Sequence, residues 1–294
     1  MKYFFLSASA LTLLAACSGG SGGGSDRGSF SGDPAFASFA EAQSQGGDYR
    51  AEGVVSSAKY RVSSNGTVTI TDDVETDDDA VARLSFKSGI ISGIAVRDSE
   101  ADITLSEDNA RMLASRGIIL AATNNGDAAA IVGDTNVLGY EYQSFGVWQT
   151  GLNGTSGRAA AGSFGAETAG NQMPDAGTAT YAGESIGQVV TNGTDNLTTS
   201  YITVDTDFST VDVSSRYTAQ IDPVTGAYEG DRSDLDFHAT GNIDGSSFEA
   251  DITTAGMDGD VDGQFYGPGA QEVGGTFSAV TNDSSYLGSF GASR

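Results

Sequence analysis

The chain has 294 residues, and its 14 Lys and Arg stand against 39 Asp and Glu, which gives a formal net charge of −25. This acidity argues against nucleic acid as a partner, because the surface would repel a phosphate backbone, and it favours a soluble monomer. Glycine is abundant, at 41 residues, while proline is scarce, at 4. The length suffices for one large or two small domains, and the composition predicts an all-β protein with many turns.

The first residues have the pattern of an exported lipoprotein. Lys2 precedes an apolar stretch over residues 4–16, which has the length of a signal-peptide core and is too short to span a bilayer. Small residues then precede Cys17, the single cysteine of the chain. This motif resembles the lipobox of bacterial lipoproteins. The resemblance implies a signal peptide over residues 1–16, diacylglycerol on the Cys17 thiol, and acylation of the new amine by a fatty acid such as palmitate.

The stretch after Cys17 predicts a tether and a membrane address. Residues 18–25 are almost entirely Gly and Ser, so we expect a lipidated, flexible tether over residues 17–34. Ser18 stands where lipoproteins kept at the inner membrane carry Asp. By analogy, the protein is expected to be anchored at the outer membrane, with its body at the cell surface.

Residues 35–150 are predicted to form a β-rich first domain. Residues 35–45 suit a short helix or more tether, and the acidic run over residues 72–79 is predicted to be a solvated loop. Residues 107–115 have the pattern of a helix, with Ser106 as its N-cap. Alternating segments predict strands over residues 54–62, 66–71, 80–86, 90–96, 118–122, 128–132 and 137–150.

The remaining chain divides into a linker and a strand meander. Residues 151–176 are rich in Gly, Ala, Ser and Asn, and are predicted to be a linker or long loop. Residues 177–294 alternate short strands with Asn, Asp and Gly turns. A meander of about eight strands removes its exposed edges by closing on itself. We therefore predict a C-terminal eight-stranded antiparallel β-barrel.

Four segments of this C-terminal part carry a family resemblance: residues 177–183 (GTATYAG), 263–268 (GQFYGP), 270–277 (AQEVGGTF) and 288–292 (GSFGA). They resemble the barrel of the transferrin-binding protein B-like surface lipoproteins, a family that includes factor H-binding protein. The resemblance implies a handle-like β domain before the barrel. It also implies binding of a host or environmental protein, often in iron or haem acquisition or immune evasion.

An aromatic strand lies just before the predicted linker. Tyr140, Tyr142, Phe145 and Trp148 follow one another at strand spacing, and this segment resembles the strand before the barrel in the same family. These side chains either pack between the handle and the barrel or serve as exposed anchors for a partner. The pattern alone leaves both interpretations open.

Three carboxylates near the C-terminus suggest a cation site. Asp258, Asp260 and Asp262 precede Gly263 with the spacing that begins a calcium loop. The position that requires a closing Glu holds Gly269, and the residues after Gly263 alternate as a strand does. We therefore predict an acidic loop that leads into a strand without a bound metal, and retain the three aspartates only as calcium candidates.

One motif suggests catalysis. Ser185 is the centre of a G-x-S-x-G sequence, and His238, the single histidine, follows it in the order found in α/β-hydrolases. That motif requires a turn from a strand into a helix, whereas the surroundings of Ser185 have the pattern of one bent strand. We predict that the protein is not an enzyme and has no cofactor. A serine hydrolase that uses Ser185 remains an alternative.

Taken together, these features predict an outer-membrane lipoprotein that binds a protein or an iron- or haem-related ligand. The ligand would contact loops at the mouth of the barrel or the handle. An alternative is an acidic surface coat without a specific ligand.

Overall fold

The computed structural model describes residues 30–97, 101–115 and 117–294. The predicted signal peptide, Cys17 and most of the predicted tether lie outside the described residues. Within these ranges the chain forms two antiparallel sheets with few helices. None of the helices in these ranges is long and apolar enough to cross a membrane.

The first sheet forms the handle. Its order is β5-β4-β3-β1-β10-β9-β8-β7-β6, and β2 pairs with the end of β1 that extends beyond β3. The strands are β1 (Gly47–Val62), β2 (Val68–Ile70), β3 (Glu75–Lys87), β4 (Ile90–Arg97), β5 (Ile103–Ser106), β6 (Ala110–Ser115), β7 (Ile118–Thr123), β8 (Ala128–Gly133), β9 (Gln143–Thr150) and β10 (Ser156–Gly165). Helices α1 (Phe39–Gln45) and α2 (Thr135–Leu138) flank the sheet.

Several predictions for the handle were wrong. Residues 151–176 are not a linker, because β10 lies in the middle of the sheet between β1 and β9. Residues 107–115 are a turn followed by β6, and pairing with β7 overrides their helical pattern. The acidic run over residues 72–79 is not all loop, since β3 begins at Glu75 and pairs with β1.

The handle begins earlier than residue 35. Phe30 is buried, and the Arg83 guanidinium lies 4.5 Å from the centre of its ring. Asp33 accepts a hydrogen bond from Arg83 Nε at 2.7 Å. The end of the predicted tether is therefore part of the handle. Residues 35–45 include a helix rather than more tether, since Ser38 caps α1 by accepting from the Glu41 N–H.

The second sheet confirms the predicted eight-stranded antiparallel barrel. In this fully described part, β12-β11-β19-β18-β17-β16-β15-β13 are neighbours in that order, and pairing of β12 with β13 closes the ring. A further strand, β14, pairs with the end of β13. The strands are β11 (Ala179–Thr191), β12 (Thr194–Thr206), β13 (Thr210–Ile221), β14 (Tyr228–Asp231), β15 (Phe237–Asp244), β16 (Ser247–Ile252), β17 (Asp258–Tyr266), β18 (Glu272–Val280) and β19 (Ser284–Ser293).

The interior of the barrel is filled by large side chains. Its core includes Tyr181, Phe237, Phe265, Phe277 and Phe290, each at most 3% exposed. The Phe277 and Tyr286 ring centres are 4.8 Å apart. Because small barrels of this size pack their interiors with side chains, we expect recognition to occur on the outer surface.

The handle and barrel meet along a continuous seam between β9, β10 and the barrel strands β18 and β19. Tyr140 donates from its hydroxyl to the Gly291 carbonyl at 2.6 Å, and Ser289 donates to the Gly146 carbonyl at 2.8 Å. Phe145 and Trp148 are buried, as is Tyr140, so these three aromatic side chains pack in the core rather than standing as anchors. One hydrophobic cluster includes residues of both domains.

A buried carboxyl also joins the two domains. Glu272, at the start of β18, is 4% exposed. Its oxygens accept the backbone N–H groups of Glu141 at 2.7 Å and Tyr142 at 3.0 Å. This one side chain therefore satisfies two partly buried backbone donors in the segment that leads into β9.

The amide of Gln143 in the seam is unsatisfied at both of its polar atoms. The side chain is fully buried, and neither its Nε2 nor its Oε1 has a hydrogen-bond partner. Replacing this amide by an apolar chain of similar shape removes the desolvation cost, so Gln143→Met is expected to raise the free energy of unfolding by about 1–2 kcal/mol. Urea denaturation measures this change. The exposed Gln172→Met change is the control, and a loss of stability in Gln143→Met alone would contradict the expectation.

Candidate ligand-binding surfaces

The three calcium-candidate aspartates lie on a strand, not in a loop. Asp258, Asp260 and Asp262 occupy one face of β17, while Val261 between them points into the barrel core. Alternate residues of a strand are about 7 Å apart, so these carboxylates do not converge as those of a calcium loop do. Within the described ranges, no group of three or more His, Cys, Asp or Glu side chains could hold a metal ion.

Asp262 differs from the other two because it reaches the handle. Its Oδ2 accepts a hydrogen bond from Thr76 Oγ1 at 3.2 Å. Burial raises the pKa of Asp262 to about 6, with a further contribution from Glu249, although the Thr76 hydrogen bond opposes the shift. The prediction of an acidic loop was therefore wrong: the three aspartates form a row on β17 that runs along the domain boundary.

The geometry around Ser185 contradicts the hydrolase alternative. Ser185 is fully buried in β11, and its hydroxyl lies 2.6 Å from that of Ser200, which in turn lies 2.7 Å from that of Ser215. His238 lies on β15 and contacts Asp212 Oδ1 at 3.2 Å through Nδ1. Three strand spacings separate β11 from β15 around the barrel, or roughly 14 Å. Ser185 therefore has neither a histidine base nor access to a substrate.

Two clefts open between the handle and the barrel. The larger, which we call the acidic cleft, has a volume of about 790 Å³. Its lining includes Arg50, which pairs with Glu52. The other charged side chains around it are all acidic: Asp78, Asp79, Glu167, Asp244, Glu249 and Asp262. Such a surface attracts cations and basic protein segments.

The smaller cleft, which we call the amide cleft, has a volume of about 410 Å³. Gln149 of β9, Gln188 of β11 and Asp195 of β12 contribute to its lining, and each is at most 3% exposed. Gln149 donates through Nε2 both to Gln188 Oε1, at 2.9 Å, and to Asp195 Oδ2. These three side chains form a polar network across the domain boundary.

A third feature is a group of exposed tyrosines on adjacent strands of the barrel, which we call the tyrosine surface. Tyr201 of β12 is 45% exposed, Tyr217 of β13 is 80% exposed and Tyr228 of β14 is 63% exposed. Tyr217 lies where the pairing of β12 with β13 shifts register, and its φ of 59° is left-handed. Left-handed backbone is strained for a bulky residue, yet Asp236 stabilises it by accepting the Thr218 N–H at 2.9 Å.

Comparison with known proteins relates the barrel to a sequence family. Residues 173–294 match the family described as the C-lobe and N-lobe beta barrels of Tf-binding protein B. The barrel domain belongs to this transferrin-binding protein B family. A curated relative, transferrin-binding protein B of Moraxella catarrhalis, is 29% identical over 203 residues, which cover 59% of this chain. The chain spans only 27% of that relative's length.

Solved structures of the transferrin-binding protein B type are also similar. A Trp-176-Ala mutant of the Haemophilus parasuis protein is 20% identical with a TM-score of 0.46, over 77% of this chain and 47% of that one. HpuA of Kingella denitrificans, solved in complex with human haemoglobin, is 14% identical with a TM-score of 0.41. The match covers 85% of this chain and 87% of that one.

Buried carboxyl groups at the boundary between the handle and this transferrin-binding protein B-type barrel make the stability of the protein depend on pH. Burial raises the pKa of Asp195 from 3.8 to about 7 and that of Glu272 from 4.5 to about 7, against their hydrogen bonds. Between about pH 4 and pH 7 the folded state therefore keeps protons that the unfolded state has released. The free energy of unfolding must fall as pH rises through this window, and Asp262 acts in the same direction.

Urea denaturation at about pH 5 and about pH 8 measures this dependence, and we expect lower stability at the higher pH. The acidic surface also repels itself more at pH 8, so Asp195→Asn is the necessary comparison. This variant removes one titrating group and is expected to reduce the difference. Equal or greater stability of the unaltered protein at pH 8 would contradict the assignment.

Sequence patterns did not reveal the residues of the amide cleft or the tyrosine surface. Asp195 follows Asn192 and Gly193, so it has the appearance of an ordinary turn residue. Tyr217 stands in a run with strand character, and no local signal marks the register shift that exposes it. Gln188 of the amide cleft is polar, as a solvent-facing strand residue would be, although the handle covers it.

Proposed function

We propose that this protein is a lipoprotein of the outer membrane, displayed at the cell surface, that binds a protein ligand through the tyrosine surface of its barrel. An iron or haem carrier is the ligand class that the relatives suggest. The observation that carries the proposal is the exposure of Tyr217 in a strained backbone conformation beside two further exposed tyrosines. We propose no catalytic residue and no cofactor.

Physical properties of this surface support a protein partner. Tyrosine gives a large, amphipathic contact area at a low cost in side-chain entropy, and it is enriched among residues that dominate binding energy. A strained backbone at an exposed position suggests a role in binding, because such strain is concentrated at functional sites. The packed interior of the barrel directs binding to its outside.

The names of similar proteins supply defined probes. The curated relative is called a transferrin-binding protein, HpuA was solved with human haemoglobin, and another similar structure is the N-lobe of a lactoferrin-binding protein. Transferrin, lactoferrin and haemoglobin therefore serve as the first three probes. Each is tested against the full chain in detergent, by surface plasmon resonance at physiological ionic strength.

Substitutions within the surface test the proposal. Tyr217→Ser and Tyr228→Ser are expected to weaken the binding of a probe that the unaltered chain binds, by roughly tenfold or more each. Val137→Ser, which removes an exposed apolar side chain from the handle, is the matched control and should leave binding unchanged. If none of the three probes binds at micromolar concentration, the iron-carrier class is excluded. Capture of nothing from serum or culture fluid would favour the acidic coat.

The membrane anchor is tested separately. The full chain is expressed in a Gram-negative host, and labelled palmitate is expected to enter the protein and to be absent from a Cys17→Ala variant. Intact cells treated with an external protease should lose the body if it is displayed outside. A Cys17→Ala protein that still fractionates with the outer membrane would contradict anchoring through this residue.

A further inference from the structure

The amide cleft has the size and walls of a small-molecule site. Its volume of about 410 Å³ falls within the range of about 300–1,000 Å³ that is typical of ligand pockets. Handle and barrel both contribute its walls, so the cleft exists only in the assembled two-domain body. The apolar and aromatic side chains around it include Tyr60, Val68, Ile70, Val190, Tyr286 and Leu287.

In the polar network at this cleft, two acceptor oxygens lack hydrogen-bond partners, whereas both amide nitrogens are fully used as donors. Gln149 uses Nε2 on two acceptors, and Gln188 uses its own Nε2 on the carbonyls of Ala160, at 2.9 Å, and Trp148, at 3.4 Å. Asp195 Oδ1 and Gln149 Oε1 have no hydrogen-bond partner. Each lies on a side chain that is 2% exposed, where an unmet acceptor costs about 1–3 kcal/mol. A ligand that supplies N–H donors would remove this cost.

The charged side chains around the cleft determine which sign of charge the ligand should carry. Asp72, Asp73, Asp258 and Asp260 lie at its lining, in addition to Asp195. Asp72 is compensated in part, because Lys59 Nζ lies 3.5 Å and Arg158 Nη1 lies 3.9 Å from its Oδ2. The remaining carboxyls give the cleft a negative potential, which attracts a cation and repels an anion.

We propose that the amide cleft binds an organic cation with N–H donors on an apolar body, of the class of a protonated arylalkyl amine. The ammonium group would donate to Asp195 Oδ1 and Gln149 Oε1 once these two lining side chains, whose oxygens are covered in this structure, turn toward the cleft, and the apolar body would contact walls such as Val190 and Leu287. Burial of Asp195 supports this assignment, since its pKa of about 7 leaves a carboxyl that a bound cation would hold ionised. The site is independent of the tyrosine surface and does not rest on the function proposed above.

Titration with three probes of similar shape tests the ligand class. The full chain in detergent is titrated at about pH 8 by calorimetry with 2-phenylethylamine, the neutral 2-phenylethanol and the anionic 3-phenylpropionate. Only the amine is expected to bind saturably. Binding of the alcohol with equal affinity, or no saturable binding of the amine, would overturn the proposal.

Two variants locate the site. Asp195→Asn keeps the shape of the side chain and is expected to weaken amine binding roughly 10- to 100-fold, the loss of one charge-assisted hydrogen bond. Val190→Phe fills the cleft and should abolish binding while Asp195 stays ionisable, which keeps the test open if Asp195→Asn does not fold. Asp175→Asn, an exposed change elsewhere, is the control. Full affinity in Val190→Phe, or saturation by Ca²⁺ that Asp195→Asn removes, would overturn the proposal.

Discussion

A Gly183→Ala variant is expected to lose the closed barrel. A Cβ at this position would lie 1.9 Å from the backbone oxygen of Gly291 and 2.7 Å from the Tyr140 hydroxyl. Strands β11 and β19 would have to separate, at the point where the handle also contacts them. We expect a loss of more than about 4 kcal/mol, which exceeds most single substitutions and would leave little folded protein.

Circular dichroism and the fluorescence of Trp148, the single tryptophan, report this loss. The matched control is Gly230→Ala in strand β14, where a Cβ would meet nothing within 4 Å. This control should be neutral or slightly stabilising. A Gly183→Ala protein with unaltered unfolding would contradict the close strand approach, and the first glycine of the G-x-S-x-G sequence would then lack a structural reason.

A Glu272→Ala variant is expected to lose about 3 kcal/mol of stability. The change removes the acceptor of two partly buried backbone N–H groups, those of Glu141 and Tyr142, and each unmet donor costs up to about 1–3 kcal/mol. Because this carboxyl joins the barrel to the chain entering β9, the loss should appear in both domains. Urea denaturation followed by circular dichroism and by Trp148 fluorescence measures both.

Graded substitutions separate the lost acceptor from other effects. Glu272→Gln keeps one oxygen, so it should lose less than Glu272→Ala but more than Glu229→Ala, which changes an exposed carboxylate on β14. A loss that circular dichroism reports and the fluorescence of Trp148 in the handle does not would contradict the role of Glu272 in the seam. An Ala variant within about 0.5 kcal/mol of the unaltered protein would contradict the buried hydrogen bonds themselves.

The barrel could be predicted from the sequence because its local signals agree with its tertiary pairing. Strands such as β17 and β18 alternate, and turn residues separate them at regular intervals. The handle was harder, because β6 has helix-forming residues that pair as a strand and β10 has a composition typical of a loop. In β10 the small Ala159 and Ala161 are buried in the cluster that the two sheets share, so their size reflects a contact partner distant in sequence.

The candidate surfaces were less predictable for a similar reason. The aspartates of β17 are visible as a motif, but whether they form a loop or a row depends on strands paired on both sides. Asp195 and Gln188 become a buried polar network only when the handle covers them. Exposure of Tyr217 depends on one extra residue in the pairing of two strands. None of these facts is local, so residue spacing could not indicate them.

Because handle and barrel share a seam, the segment that matches the sequence family is not a unit that folds independently. The family match begins at residue 173, yet the handle covers Ile186, Leu197 and Leu287 of the barrel within one cluster. A fragment cut at that boundary would expose these side chains to water. It would also leave the Gly291 carbonyl and the Glu272 carboxyl without the handle donors that they accept from. Recombination between genes can therefore exchange the barrel only if the new barrel and handle have complementary surfaces at this seam.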